Sequence, residues 1–251
     1  MRTSAPGAMR VARRFAIRST RGRVRVGSSK ADFPPTPAGV DRDVARTELK
    51  RRLAARKDLH VDEPTLEWYL KDRRYDVEEA EGKICDTFKW RKDIGDVRES
   101  DVAEEMATGK TLVHEHKDIH GRSVLLVNAR KHVVGEFTAR QSQSLLKYSI
   151  DKAIDSLDEE AETLLGVFDL KGFGPKNADL EYVVFLVDAF FKYYPRRIGE
   201  VLLVDAPLIF RPTWMIAKPM LGKYAKLVKF VLVQEAKTYF PPGKVPSSLS
   251  R

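Results

Sequence analysis

Three histidines, His114, His116 and His120, fall in an H-x-H-x-x-x-H pattern. Imidazoles at that spacing would suit a zinc ion if the segment were a strand carrying two of them on one face. His120, however, sits in Asp118-Ile119-His120-Gly121, a hairpin-turn sequence that holds no ligand rigidly. Solvated polar side chains are the expected outcome, and no metal is expected. A second candidate is Lys171-Gly172-Phe173-Gly174-Pro175-Lys176. A glycine-rich turn before a helix N-terminus can cradle phosphate, but Pro175 has no N–H to offer and the spacing fits no nucleotide fingerprint. It reads as a connecting loop. Cys85 is the only cysteine, so neither an intramolecular disulfide nor a cysteine metal cluster can form. The nucleophile elbow, the Walker loop and the dinucleotide fingerprint are all absent. With no recognisable nucleophile and base, the expectation is a protein that is not an enzyme and carries no cofactor.

The most informative stretch is residues 208–221, where Pro212 can open a helix and Pro219 must kink or end it. Phe210, Trp214, Ala217 and Leu221 recur at helical spacing. Met215, Ile216 and Met220 are expected to widen that apolar face, leaving Arg211, Thr213 and Lys218 for water. Arg211 and Lys218 are two turns apart, so the pattern suits a helix at a membrane interface as well as one fixed in a core.

The elements that must position these residues follow from periodicity. Residues 43–95 read as helix throughout, with Asp62-Glu63-Pro64 and Asp76 as caps and Val77, Ala80, Ile84 and Phe88 on one stripe. Short apolar runs then appear at 123–127, 163–168, 201–204 and 228–233, as expected of strands covered on both faces. Between them lie a helix opened by the Thr138-to-Gln141 capping box and another, capped by Asn177, that carries Val183, Leu186, Val187, Phe190 and Phe191. The expected fold class is α/β, a three-helix cap at 43–95 followed at 96–251 by a mainly parallel sheet with crossover helices.

The chain has 45 basic and 36 acidic residues, but eight arginines and Lys30 precede Asp32, the first acidic residue. The remaining body is formally neutral, which argues against a nucleic-acid partner. Residues 1–31 have the arginine-rich, acid-free composition of a targeting leader, and the Pro-rich residues 32–42 read as a linker. No run approaches the roughly 18 apolar residues of a membrane span.

Several of these pieces, taken in order, resemble the CRAL-TRIO family. Thr65-Leu66-Glu67-Trp68-Tyr69-Leu70-Lys71-Asp72-Arg73-Arg74-Tyr75-Asp76-Val77-Glu78-Glu79-Ala80, followed by Trp90-Arg91, is similar to its helical cap. Gly121-Arg122-Ser123-Val124, Phe168-Asp169-Leu170-Lys171-Gly172-Phe173-Gly174, Tyr193-Tyr194-Pro195 with Gly199, and Ala206-Pro207 with Phe210, Trp214 and Lys218-Pro219 resemble its lipid-binding domain. The resemblance implies an α/β pocket for one lipid, with residues 210–221 as a mobile gate and no catalytic residues. It makes Phe168, Phe190, Phe210, Trp214, Met215, Ile216, Met220 and Leu221 the expected pocket and gate residues. Relatives that move phosphoinositides commonly read Pro-Glu-Arg-x-Gly, where this chain has Pro195-Arg196-Arg197-Ile198-Gly199. Inositol lipid is therefore disfavoured, and the lysine beyond the gate is either Lys226 or Lys229. By charge, Lys192, Arg196, Arg197, Arg211, Lys218, Lys226 and Lys229 are candidates for head-group or membrane contact. A phospholipid with an anionic head group is the expected ligand. The alternatives are an isoprenoid such as a tocopherol or carotenoid, or an adaptor role without transfer. The expected setting is a monomer that touches membranes transiently, in the chloroplast by analogy with plastid relatives or else in the mitochondrion.

Overall fold

Asp41, Asp62 and Asp76 each accept a backbone N–H from the first turn of a helix, a cap that is worth about 1 kcal/mol. The helices they open are α1 (Arg42–Ala54), α2 (Glu63–Asp72) and α3 (Val77–Ile94). In the computed structural model, which describes residues 28–56 and 59–251, these three close on a core of their own around Leu49, Leu53, Leu70 and Ile84. Residues 1–27 of the expected leader lie outside the described residues.

A helix not foreseen from the sequence, α4 (Glu99–Ala107), packs on α5 (Ala139–Asp155). The capping box that opens α5 is formed on both sides, with Thr138 and Gln141 each satisfying the other's backbone N–H. Among the described residues, five strands, β1 (Thr111–Val113), β2 (Ser123–Asn128), β3 (Leu164–Asp169), β4 (Ile198–Val204) and β5 (Val228–Val231), form one sheet in spatial order 1-2-3-4-5. Only β1 runs antiparallel. It escaped the sequence reading because three residues are too few to show a period, and β5 stops early because Val233 begins α8 (Val233–Lys237).

Alternation through the sheet makes two faces. Val124, Leu126, Leu165, Val167, Leu202 and Val204 point to the back, under Ala236, Phe240 and Leu249 of the C-terminal segment. Leu125, Leu164, Val201 and Leu203 point to the front, under α5, α6 (Leu180–Asp188, extended by a wider turn over Ala189–Tyr193) and α7 (Arg211–Leu221). Covering on both sides is why these strands read as unbroken apolar runs.

One cap is corrected. Asp179, not Asn177, opens α6, its Oδ1 accepting the Tyr182 N–H at 2.9 Å. Asn177 instead ties loops together, accepting from Gly174 N and donating to the carbonyls of Arg130 and His132. A side chain committed to three loop groups cannot also reach a helix terminus.

Candidate functional site

The front of the sheet does not fill completely. Phe168 on β3, Val201 and Leu203 on β4 and Val228 on β5 form the floor of an apolar cavity of about 120 Å³, partly open to solvent. Val183, Leu186, Val187 and Phe190 of α6 make one wall, and α7 is the roof. Pro212 lies in the first turn of α7, where its missing N–H costs nothing, and Gly222 ends the helix at φ +49°. The roof contributes Phe210, Thr213, Trp214, Ala217 and Leu221, all buried. Phe168 meets Phe190 edge-on, Phe210 meets Phe173, and Trp214 meets Phe230 at a centroid distance of 5.0 Å.

The opposite side of α7 is not covered by any of the described residues. Met215 is 66% exposed and Ile216 and Met220 are each 42% exposed. These three were expected to widen the inner face, and they lie on the outer one. Thr213, expected in water, is buried against the cavity. Sequence shows only that α7 is apolar around most of its circumference, and position over the sheet selects the inward arc. Leu208 and Ile209, immediately before α7, are also exposed, as are Arg211 and Lys218. No carboxylate among the described residues pairs with Arg211, Lys218 or Lys192; Lys192 is exposed and lies over the Tyr193 ring.

The remaining cations expected at a head group are otherwise engaged. Arg196, at φ +62°, donates to Asp72 at 2.7 Å and to the Asp32 carbonyl at 2.9 Å. Burial pushes the Asp72 carboxyl up, but Lys83 and Arg196 outweigh it and hold it below the usual range. Arg197 stacks its guanidinium 3.7 Å from the Trp68 ring, and Trp68 Nε1–H donates to the Pro195 carbonyl. Trp90 lies flat on Tyr193 at 4.3 Å, and Tyr194 donates to Asp151, which also pairs with Arg91. Residues 193–197 therefore dock the cap onto the sheet domain, and Arg196 and Arg197 do so by contacts that leave the cavity. Lys226 pairs with Asp32 at 3.6 Å. Lys229 is on the back face, paired with buried Glu200, which also takes Arg122 at 3.2 Å. Facing away from the cavity, Lys229 cannot touch its contents.

The sequence reading missed that four polar residues, His132, Asn177, Asp179 and Thr213, also line the cavity. His132 Nε2 stands 3.0 Å from Asp179 Oδ2, and Nδ1 stands 3.1 Å from the Lys110 ammonium. An ammonium only donates, so Nδ1 accepts and Nε2 carries the hydrogen given to Asp179. Burial, and after it the Lys110 charge, lower the His132 pKa, against the pull of Asp179. Lys110 is itself held by Glu105 and Ser142. His132 stands alone in its segment, so no spacing signals it; Asp179 three residues before Tyr182 was the available clue.

Of the three histidines, His114 and His116 meet edge-on at a centroid distance of 5.5 Å. His114 bonds to the Lys244 carbonyl and His116 lies by Glu115. Among the described residues no group of three or more His, Cys, Asp or Glu could hold a metal ion, and no helix is long and apolar enough to cross a membrane.

Residues 106–250 match the family described as CRAL/TRIO domain. A CRAL-TRIO domain-containing protein of Schizosaccharomyces pombe is 27% identical over 164 residues, 61% of this chain and 37% of that protein. A phosphatidylinositol transfer protein of Eremothecium gossypii is 25% identical over 240 residues, 86% of this chain and 55% of its own length. The chain thus spans between about a third and a little over half of these relatives. The crystal structure of Sfh5 superposes with a TM-score of 0.57 at 14% identity, covering 76% of this chain and 80% of that one, which places the fold.

Proposed function

The chain belongs to the CRAL/TRIO domain family, and on that footing we propose that it binds one hydrophobic lipid in the cavity beneath α7 and exchanges or presents it at membranes. The observation that carries this is the cavity itself, about 120 Å³ of apolar-lined space under a single helix. Native cores are packed without such voids, and a similar relative is named a phosphatidylinositol transfer protein.

Carrying a two-chain lipid of about 30 methylenes through water costs on the order of 20 kcal/mol, at about 0.8 kcal/mol each. Uptake therefore takes place at the bilayer. α7 presents Met215, Ile216 and Met220 outward beside Arg211 and Lys218, an interfacial combination of apolar and basic groups. In this proposal the outer face seats in the interface, α7 moves aside, and the helix closes again over the ligand. The bilayer biases two packings of one helix. The protein acts as a monomer and catalyses no covalent change, and its arginine-rich leader directs it to the chloroplast, the mitochondrion being the alternative.

Because Arg196, Arg197 and Lys229 are engaged elsewhere, an anionic head group would have to be met at the surface, by Lys192, Arg211 or Lys218. Native mass spectrometry of the chain without residues 1–27, together with exchange of fluorescent lipid between vesicles, tests the proposal. A one-to-one lipid adduct and protein-dependent exchange are expected. Protein that carries no lipid and tolerates Ala217→Phe without loss of any activity would favour an adaptor and overturn it.

A further inference from the structure

His132 is buried in the cavity wall and fixed on three sides. Its Nδ1 accepts from the Lys110 ammonium at 3.1 Å, its Nε2–H is given to Asp179 at 3.0 Å, and its ring stacks on Tyr182 at a centroid distance of 4.5 Å. Lys110 cannot yield, because it is 2% exposed and also donates to Glu105 and Ser142. His132 can, because it stands in an irregular segment between the short turn Ala129–Lys131 and the Thr138 cap of α5. The contact with Lys110 exists only while the imidazole is neutral, since Nδ1 has a lone pair to offer only in that form.

The charge on this ring is governed by the elements packed around it. Burial and Lys110, just before β1, oppose a positive charge, while Asp179 at the cap of α6 and Glu105 on α4 favour one. α5 supplies the Ser142 hydroxyl, which is bound to Lys110, and the neighbouring Arg130, Lys131, Lys176 and Glu181 are exposed to water. A proton taken from solvent by Nδ1 sets two cations against each other, with Lys110 immobile and the Nε2–H still drawn to Asp179. The ring and its segment must then move. That segment is tied to the roof: Asn177 donates to the His132 carbonyl at 2.7 Å and accepts from the Gly174 N–H at 2.8 Å, and Phe173 packs edge-on against Phe210 at 5.3 Å. It is tied to the wall through Asp179, which caps α6.

We propose that His132 is an acid-sensitive latch on the cavity: when Nδ1 takes up a proton it parts from Lys110, residues 129–137 shift, and the wall and roof loosen so that bound lipid leaves faster. This rests on the lipid-binding function proposed above and adds a control to it. In the latched form the ring resists the proton, whereas in the opened form it regains the ordinary imidazole value of about 6.5. Acid therefore shifts the population toward the opened form. The shift is negligible at about pH 7.5 and reaches at most about tenfold at about pH 5.5, one unit below the ordinary value.

The test loads the full chain with a phosphatidylcholine that carries one pyrene-labelled chain and follows its release into excess unlabelled phosphatidylcholine vesicles, whose head groups do not titrate between pH 7.5 and pH 5.5. Release from the wild type is expected to be about five- to tenfold faster at pH 5.5 than at pH 7.5. In His132→Gln, whose amide can accept from Lys110 and donate to Asp179 without titrating, the ratio of the two rates should be below about twofold. An equal ratio in both proteins would trace the acid response to other groups, such as His114, His116 or His120, and overturn the latch while leaving lipid binding intact. A wild-type ratio below about twofold would do the same. Hydrogen exchange of the wild type gives a second readout: protection in residues 129–137 and 173–180 should fall between pH 7.5 and pH 5.5 after correction for the intrinsic rate. Unchanged protection there overturns the latch even if the variant does not fold. Failure to load at either pH would count against the lipid-binding function itself, and the latch would fall with it.

Discussion

Asp72 has a side chain only 1% exposed and meets three cations, Arg196 at 2.7 Å, Lys83 at 3.1 Å and the less buried Arg73 at 3.4 Å. Removing the carboxylate in Asp72→Ala leaves the desolvated Lys83 and Arg196 uncompensated, an effect on the order of 3 kcal/mol. The urea midpoint should fall accordingly, and exchange protection should be lost first where α2 meets residues 193–197. Because its folded-state pKa is depressed, this carboxyl stabilises the protein above the ordinary aspartate value, and the contribution is lost as pH falls below about 4. His132 acts in a higher range. Its pKa is lowered in the fold, so below about pH 6.5 the unfolded chain takes up a proton that the folded protein refuses. Stability should therefore decline between pH 7 and pH 5, by at most about 1.4 kcal/mol per pH unit from this group. His132→Gln, which can still accept from Lys110 and donate to Asp179, should flatten that slope in thermal melts across the range.

At the scale of elements, α7 has two apolar sides with different duties. Trp214 is 9% exposed and faces the cavity, whereas Met215, the next residue, is 66% exposed. The Met215→Asp change should leave stability within about 0.5 kcal/mol and abolish docking to vesicles. Trp214→Asp buries a charge and should unfold the roof. If Met215→Asp protein transfers lipid at the wild-type rate, the outer face of α7 has no part in membrane contact. At the start of β4 a different constraint operates, because a Cβ on Gly199 would come within 2.6 Å of Thr163 Oγ1. That hydroxyl donates to the Ser28 carbonyl. Gly199→Ala should cost about 1–3 kcal/mol from overpacking and speed hydrogen exchange in residues 28–33.

For the whole molecule, the segment before α1 ties two halves together. Ser29 O accepts from Glu162 and Thr163, Ala31 donates to Glu162, and Phe33 packs edge-on against Trp68 of the cap at 4.8 Å. The boundary drawn at residue 31 between leader and linker runs through this strap. A chain beginning at Pro34 should melt at least about 4 °C lower, equivalent to 1–2 kcal/mol for a protein of this size. It should still bind lipid, since none of the strap lines the cavity beneath α7. Loss of lipid binding in that truncation would place the strap in the site rather than beside it.

The sequence by itself determined the helical cap, the order of β2 to β5 with the helices between them, the two-sided burial of β2 to β4 and the capping box of α5. Period and caps are local properties, set by residues within a turn or two of each other. What only the tertiary structure decided is which side of α7 turns inward, which arginines are consumed in docking the cap, and that His132 pairs with Asp179 in the cavity wall. Those facts depend on residues 30 to 130 positions apart in the chain, brought together by long-range packing that leaves no spacing to read.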